Sequence, residues 1–346
     1  MRAVVMEAPG RIVIEDIDAP KVLDPTDAVI ELAATCICGS DLWPFRGAQP
    51  VDHQYMGHEY IGEVVETGPA VKKVAPGDFV VGSFCISCGE CEICRAGYPS
   101  RCPVAAAAGD PFIGARSNGT QAEFARVPFA DGTLVTTPAP PSPELIPHLL
   151  AASDVLGTGW FAADSAGAGP GTTIAVVGDG AVGLGAIIGA KQLGAERIIT
   201  MSRHPQRQAL AREFGATDIV EERGEAGAAR VREMTGGYGA HGAVEAVGNE
   251  TAFQQALGCV RPGGHLGFVG VPHGVSLDMG QMFGAEVHIF GGPAPVREYL
   301  PKMIDLIYKG EIFPGKVFDK VLPLADAAEG YAAMDQRSAT KVLLTV

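Results

Sequence analysis

The chain has 346 residues, room for two domains at about 150 residues each, and its 47% hydrophobic and 19% charged content excludes a disordered or heavily solvated polymer. Its 26 basic against 40 acidic residues leave a formal charge of -14, the wrong sign for phosphate backbones or anionic membranes, so neither nucleic acid nor membrane is expected as a partner. The 46 glycines and 25 prolines follow no G-X-Y period, which excludes collagen and points to turn-rich β structure with glycine loops.

In chain order, MRAVVMEAPGR carries an acid at Glu7 after a very short apolar run, unlike the longer apolar core of a signal peptide, so a cytoplasmic protein is expected. RAVVM, RIVIEDI, DAVIELAAT, EYIGEVVETG and DFVVG then read as strands, β-branched runs broken by Pro, Gly and Asp. They predict a barrel-like or sandwich-like β domain over residues 1–156, with a cysteine lobe at 85–103. The tract Ala105 to Ala108 reads as a small-residue loop or turn. From Thr172 the pattern alternates: strand TTIAVVG, helix AVGLGAIIGAKQLG, strand ERIITM, helix PQRQALAREFG and strand TDIV. That β-α-β-α-β series predicts an α/β domain with a doubly wound parallel sheet over 157–291. Further units follow at GAVEAVG, TAFQQALGCV and, after a PGG turn, HLGFVGV. Residues 292–346 hold the helix REYLPKMIDLIYKG and the strand VLLTV, and they are expected to return to the first domain. The longest apolar stretch, Ala181 to Ala190, is rich in glycine and falls far short of the about 20 residues that span a bilayer.

A reducing compartment leaves eight cysteines in need of a metal or catalytic explanation before a disulfide one. Cys88, Cys91, Cys94 and Cys102 are spaced C-x2-C-x2-C-x7-C, which suits a closed tetrahedral Zn2+ site that contributes to folding. An iron-sulfur cluster and a pair of disulfides are the rival readings of four such thiols. Cys36, Cys85 and Cys259 fall outside the spacing and read as inert small hydrophobes.

Gly178, Gly180 and Gly183, with Ala181 and Val182 between the last two, form G-x-G-x-x-G directly after a strand and before a helix. Such glycines allow a tight turn, close approach to a pyrophosphate and tight helix–strand packing. About 20 residues on, an acid would accept the ribose 2'-hydroxyl of NAD(H). The segment ITMSRHPQR has no acid there, and instead offers Ser202, Arg203 and Arg207, groups that suit the 2'-phosphate of NADP(H). NADP(H) is therefore favoured, and NAD(H) is the alternative if the arginines only solvate a helix start.

Three further segments carry metal-ligand types: ICGSDLW with Cys38, GHEYIGEVVETG with His58 and Glu59, and SDVLGTGW with Asp154. Together with the cysteine lobe and the glycine loop, they make the chain resemble the zinc-dependent alcohol dehydrogenases of the medium-chain dehydrogenase/reductase superfamily, almost from end to end. The resemblance implies a GroES-like β-barrel catalytic domain with a structural zinc lobe beside a Rossmann domain. It implies two Zn2+ per chain, the catalytic one on Cys38, His58 and Asp154, with Glu59 as a possible alternate ligand. It further implies Asp41 as the carboxylate that orients His58 and Ser40 as the hydroxyl that passes the alcohol proton. Thr158, Val269, Gly270 and Val271 match the nicotinamide cradle, and Lys341 matches a phosphate-binding position. Where many members carry a relay histidine this chain has Trp43, expected with Phe84 to line the substrate pocket or to serve as a plain core or lid aromatic.

The implied reaction is hydride transfer between NADP(H) and an alcohol, aldehyde or ketone, with Zn2+ as Lewis acid on the substrate oxygen. An NAD-dependent polyol or amino-alcohol dehydrogenase of the same family and a non-catalytic nucleotide-binding sensor are the alternatives. A homodimer or homotetramer is expected, with apolar strands near HLGFVGV and EVHIFGG extending a sheet across a two-fold axis.

Overall fold

A computed structural model describes residues 1–109, 111–113 and 119–346. They divide into two compact units, Met1–Asp154 with Pro295–Val346, and Val155–Ala294.

In the first unit the strand Ala28–Ile37 is the organiser. One edge pairs antiparallel with Tyr60–Thr67; the other takes Phe124–Val127 at its start and Val342–Thr345 at its end. Register shifts at Val29/Ile30 and Leu32/Ala34 bend the strand so that its two ends reach different partners. The sheet continues through Phe79–Gly82 to Leu134–Thr136 on one flank and to Lys320–Pro323 on the other. A smaller sheet holds Arg11–Asp16, Arg2–Ala8 and Gln54–Tyr55. Among the described residues the outermost strands do not pair with one another, so the expected β-barrel is instead two open sheets. Ile30, Leu32, Tyr60, Val64 and Val80 fill one core, and Val4, Met6, Ile37, Tyr331 and Leu344 fill another.

Ala105–Ala108, expected as a loop, closes the helix Pro103–Ala108. Proline at its first turn, the Cys102 sulfur accepting the Ala105 N–H, and alanine's high helix propensity outweigh the tract's short length. The helix Ile146–Ala152 likewise lies in a stretch that reads as strands.

The second unit carries a six-stranded parallel sheet. Its strands, in spatial order, are Asp218–Val220, Arg197–Met201, Thr173–Val177, Ala240–Glu245, Val260–Phe268 and His288–Gly291. The chain order reverses between Thr173–Val177 and Ala240–Glu245, which places a ligand crevice at the carboxyl ends of those two strands. The expected PGG turn is part of the long strand Val260–Phe268: partners shift from Ala240–Val260 to Gly242–His265, so Pro262 and Gly263 form an irregularity within the ladder. No helix among the described residues is long and apolar enough to cross a membrane.

Candidate active site

Cys38 follows directly on the strand Ala28–Ile37, and His58 and Glu59 precede Tyr60–Thr67, its neighbour in the sheet. Adjacent strand ends therefore present both segments side by side, and Asp154 follows the helix Ile146–Ala152. One ligand atom from each of Cys38, His58, Glu59 and Asp154 lies within 4.8 Å of the others.

The histidine is held from both sides. Its Nε2 stands 3.4 Å from Asp154 Oδ2, and its Nδ1 stands 3.6 Å from Asp41 Oδ1, a charge contact rather than a full hydrogen bond. Asp41 is itself fixed by N–H donors, the Cys38 backbone at 3.0 Å and Gln121 Nε2 at 3.1 Å. Gln121 also donates to the Cys36 carbonyl and accepts from the Tyr331 hydroxyl at 3.0 Å. Neither Gln121 nor Tyr331 was visible as a site residue in the sequence. Both are buried polar groups from distant segments, and only contact reveals them.

Burial alone would lower the His58 pKa, but its contacts with Cys38, Asp154 and Asp41 outweigh it and hold it well above the ordinary value. Glu59 is wholly buried, and burial pushes its carboxyl up against the downward pull of Lys341. Its Oε1 accepts from Lys341 Nζ at 2.7 Å, and its Oε2 has no hydrogen-bond partner among the described residues. A buried carboxylate oxygen left unpaired beside a thiol, an imidazole and a second carboxylate is what a divalent cation would satisfy, so these residues fit the expected zinc.

Lys341, expected at a cofactor phosphate, has a side chain 1% exposed, with its ammonium paired with Glu59 and bonded to the Ile37 carbonyl at 3.2 Å. Two of the three N–H donors of its ammonium are thus engaged by Glu59 and Ile37.

Ser40 is exposed in the turn before the short helix Leu42–Phe45, which carries half-buried Trp43. Phe84 sets its ring edge-on to His58 at 6.3 Å and stacks on Phe112 at 6.2 Å.

In the cysteine lobe, neighbouring sulfurs lie 3.4 Å (Cys91–Cys94), 3.6 Å (Cys88–Cys102), 3.9 Å (Cys91–Cys102) and 4.0 Å (Cys88–Cys94) apart. Four sulfurs about 2.3 Å from one tetrahedral zinc would be spaced about 3.8 Å, whereas a disulfide needs about 2.05 Å. All eight cysteines are free thiols. A multi-metal cluster would force the thiols further apart, so the spacing fits a single ion. Backbone N–H groups of Cys91 and Ala105 point at sulfurs, and the Cys94 N–H is the largest influence lowering Cys91 to about 7. Cys36, Cys85 and Cys259 are buried, as inert hydrophobes would be.

In the second unit the glycine loop fits a pyrophosphate. A Cβ on Gly183 would run into the Gly178 carbonyl, whereas one on Gly180 would meet nothing within 4 Å. The loop therefore packs tightly at its last glycine and stays open at its middle one, at the start of the helix Ala181–Leu193. Thr158 is buried in the helix Val155–Ser165. Val269 and Gly270 donate to the Glu245 carbonyl at 2.9 and 3.3 Å, and Val271 is 54% exposed.

Ser202 directly follows the second strand and Arg207 lies in the first turn of the next helix, Pro205–Phe214, but the region is not free of acid. Asp179, from the glycine loop, accepts from Ser202 Oγ at 2.7 Å and from Arg207 Nη1 at 3.1 Å. Arg203 donates from Nε to the Glu221 carbonyl at 2.6 Å. Sequence reading missed Asp179 because it looked for an acid only at the strand end; the signal was an acid inside the glycine motif itself.

Residues 24–139 match the alcohol dehydrogenase GroES-like domain, and residues 181–309 match the zinc-binding dehydrogenase family. Zinc-type alcohol dehydrogenase B of Aspergillus flavus is 35% identical over 99% of this chain and 81% of its own length. Among solved structures, the alcohol dehydrogenase TADH from Thermus sp. ATN1 aligns over all of both chains with a TM-score of 0.89 and 34% identity. A putative zinc-binding dehydrogenase from Sinorhizobium meliloti 1021, bound to NADP, aligns over 100% of this chain and 99% of its own with a TM-score of 0.82 and 25% identity. The chain belongs to the zinc-dependent alcohol dehydrogenases of the medium-chain dehydrogenase/reductase superfamily.

Proposed function

We propose that the protein interconverts an alcohol and its aldehyde or ketone, with NADP(H) preferred, using one catalytic and one structural Zn2+. The observation that carries this reading is the convergence of Cys38, His58, Glu59 and Asp154 around one point, with an orphaned carboxylate oxygen. When bound, zinc supplies Lewis acidity toward the substrate oxygen and the nicotinamide gives or takes the hydride.

The chain's own residues do the rest. Cys38, His58 and Asp154 would hold the metal, with Glu59 in reserve, while Asp41 fixes the orientation of His58. Ser40 Oγ takes the hydroxyl proton of the substrate as it hands its own O–H proton on to the nicotinamide ribose or, being exposed, to water, so the serine stays neutral. Trp43 cannot accept that proton, and with Phe84 it walls the substrate side. In the nucleotide unit the open loop at Gly180 takes the pyrophosphate, Ser202, Arg203 and Arg207 take the 2'-phosphate, and Thr158 with Val269, Gly270 and Val271 faces the nicotinamide. Cys88, Cys91, Cys94 and Cys102 hold the structural ion.

Reduced thiols support a cytoplasmic location. The outer strand His288–Gly291 supports pairing of two copies across its edge.

To test this, zinc-loaded protein is offered aliphatic and aromatic aldehydes and ketones with NADPH or NADH, and consumption of the dinucleotide is followed. Wild type should consume NADPH, and Cys38→Ser should lose one metal per chain together with turnover. Turnover that persists in a Cys38→Ser protein lacking that metal would refute the catalytic assignment.

A further inference from the structure

The one O–H donor of the Ser202 hydroxyl is committed within the protein. Its single O–H goes to Asp179 Oδ2 at 2.7 Å, and its oxygen accepts the His204 N–H at 3.2 Å. Arg207 is likewise bound, to the other oxygen of the same carboxylate at 3.1 Å. Two of the three groups assigned to the 2'-phosphate are therefore already held by an anion. Ser202 is 4% exposed, and the Asp179 and Arg207 side chains are 17% and 18% exposed, so the contact is partly shielded from water. The glycine motif does not require an acid between Gly178 and Gly180; close to an incoming pyrophosphate an acid is unfavourable unless it has another purpose.

We propose that Asp179 is a cofactor-specificity residue, an acid supplied by the phosphate loop in place of the strand-end acid that this chain lacks. It accepts the ribose 2'-hydroxyl of NAD(H), and it opposes the 2'-phosphate of NADP(H) by charge and by competing for Ser202 and Arg207. The arginines pull toward NADP(H), Asp179 pulls back, and the protein binds both dinucleotides. This inference rests on the reading of the crevice as a nicotinamide dinucleotide site.

Equilibrium binding tests it without recourse to turnover. Zinc-loaded full-length wild type, Asp179→Asn, Asp179→Ser and Arg207→Gln are titrated with NADPH and with NADH, and the fluorescence change on binding gives each Kd; thermal melting confirms folding. In both Asp179 variants the ratio Kd(NADPH)/Kd(NADH) should fall about fivefold or more, because repulsion of the phosphate is removed and an acceptor for the 2'-hydroxyl is lost or weakened. Any smaller fall overturns the proposal, and Asp179→Ser decides the matter should Asp179→Asn fail to fold. Arg207→Gln separates the two readings. If it selectively weakens NADPH while the Asp179 variants leave the ratio unchanged, the arginine reading stands and this one falls. If it leaves NADPH unaffected while the ratio moves in the Asp179 variants, Asp179 acts by its own charge and hydrogen bond, and the competition for Arg207 is overturned.

Discussion

Glu59 and Lys341 are an ion pair with side chains 0% and 1% exposed, joined at 2.7 Å. Such a pair adds little net stability, because desolvating both charges roughly offsets their attraction, yet each partner makes the other tolerable. Burial pulls the Lys341 pKa down, and Cys36, Glu59 and Cys38 more than reverse that, so the lysine stays charged and steadies the carboxylate beside the metal ligands. In the nucleotide unit Glu245 is buried and pairs with no cation among the described residues. Its Oε1 accepts the N–H groups of Val247 and Gly248 at 2.9 and 2.8 Å, while its Oε2 has no partner among the described residues. Through its side chain and its carbonyl, one residue thus fixes both the turn after its own strand and the Val269–Gly270 backbone. Burial raises its pKa above the usual 4.5, more than those two N–H groups lower it. A carboxyl raised in the folded state binds its proton more tightly there than in the unfolded chain, so ionisation costs stability as pH climbs through the folded value, and the cost vanishes below the unfolded one. Glu245→Gln removes that cost and keeps the acceptor. Its stability relative to wild type, from urea unfolding at a series of pH values, should rise as pH climbs from below the ordinary carboxyl range through the raised folded value, and then level off. A relative stability that falls over the same range would show that the ionised form is the favoured one.

The helices Val155–Ser165 and Ala181–Leu193 cross where glycines replace side chains. A Cβ at Gly189 would stand 2.7 Å from Trp160 Cα, and one at Gly185 would stand 2.7 Å from the Val155 carbonyl oxygen. Both obstacles are backbone and cannot rotate away, so Gly189→Ala should destabilise the protein by about 1–3 kcal/mol in denaturant unfolding despite alanine's better helix propensity. A variant as stable as wild type would mean that the crossing is looser than these distances say. Elements of this kind were legible because their signals are local: the alternation of strands and helices from Thr172, the glycine spacing, and the C-x2-C-x2-C-x7-C lobe each lie within one short window. The open β sheets were not legible, since closure depends on whether Lys320–Pro323 meets Leu134–Thr136, and no local pattern records that meeting. Pro262 and Gly263 read as a turn because their chemistry suits one, yet the pairing on both sides carried the strand through. In the site, Cys38, His58, Glu59 and Asp154 stood out as ligand types within recognisable segments. Gln121, Tyr331 and the Asp179 contact were silent because each is defined by a partner far away in sequence.

At the scale of the whole molecule, a charge of -14 means that any two copies repel, so self-association has to rest on apolar surface. A run of exposed apolar side chains lies in one stretch of the nucleotide unit: Phe283 is 89% exposed, Met279 75%, Val271 54%, Phe290 47% and Leu277 46%. The same stretch leads into His288–Gly291, which among the described residues pairs on one side alone, leaving an edge that a second copy can extend. Side chains so exposed on a monomer are costly, and the edge offers unsatisfied backbone groups, so apolar burial and hydrogen bonding favour the same partner. Phe283→Glu adds a charge to each side of a two-fold interface at its most exposed apolar position. In light scattering after size exclusion, wild type should give the mass of a dimer or tetramer and Phe283→Glu a smaller species. Added salt should strengthen the wild-type assembly by screening the net repulsion, where an interface held by ion pairs would weaken. A Phe283→Glu protein with wild-type mass would move the interface elsewhere, and a wild type that dissociates with salt would show that charge pairs, rather than this apolar edge, hold the copies together.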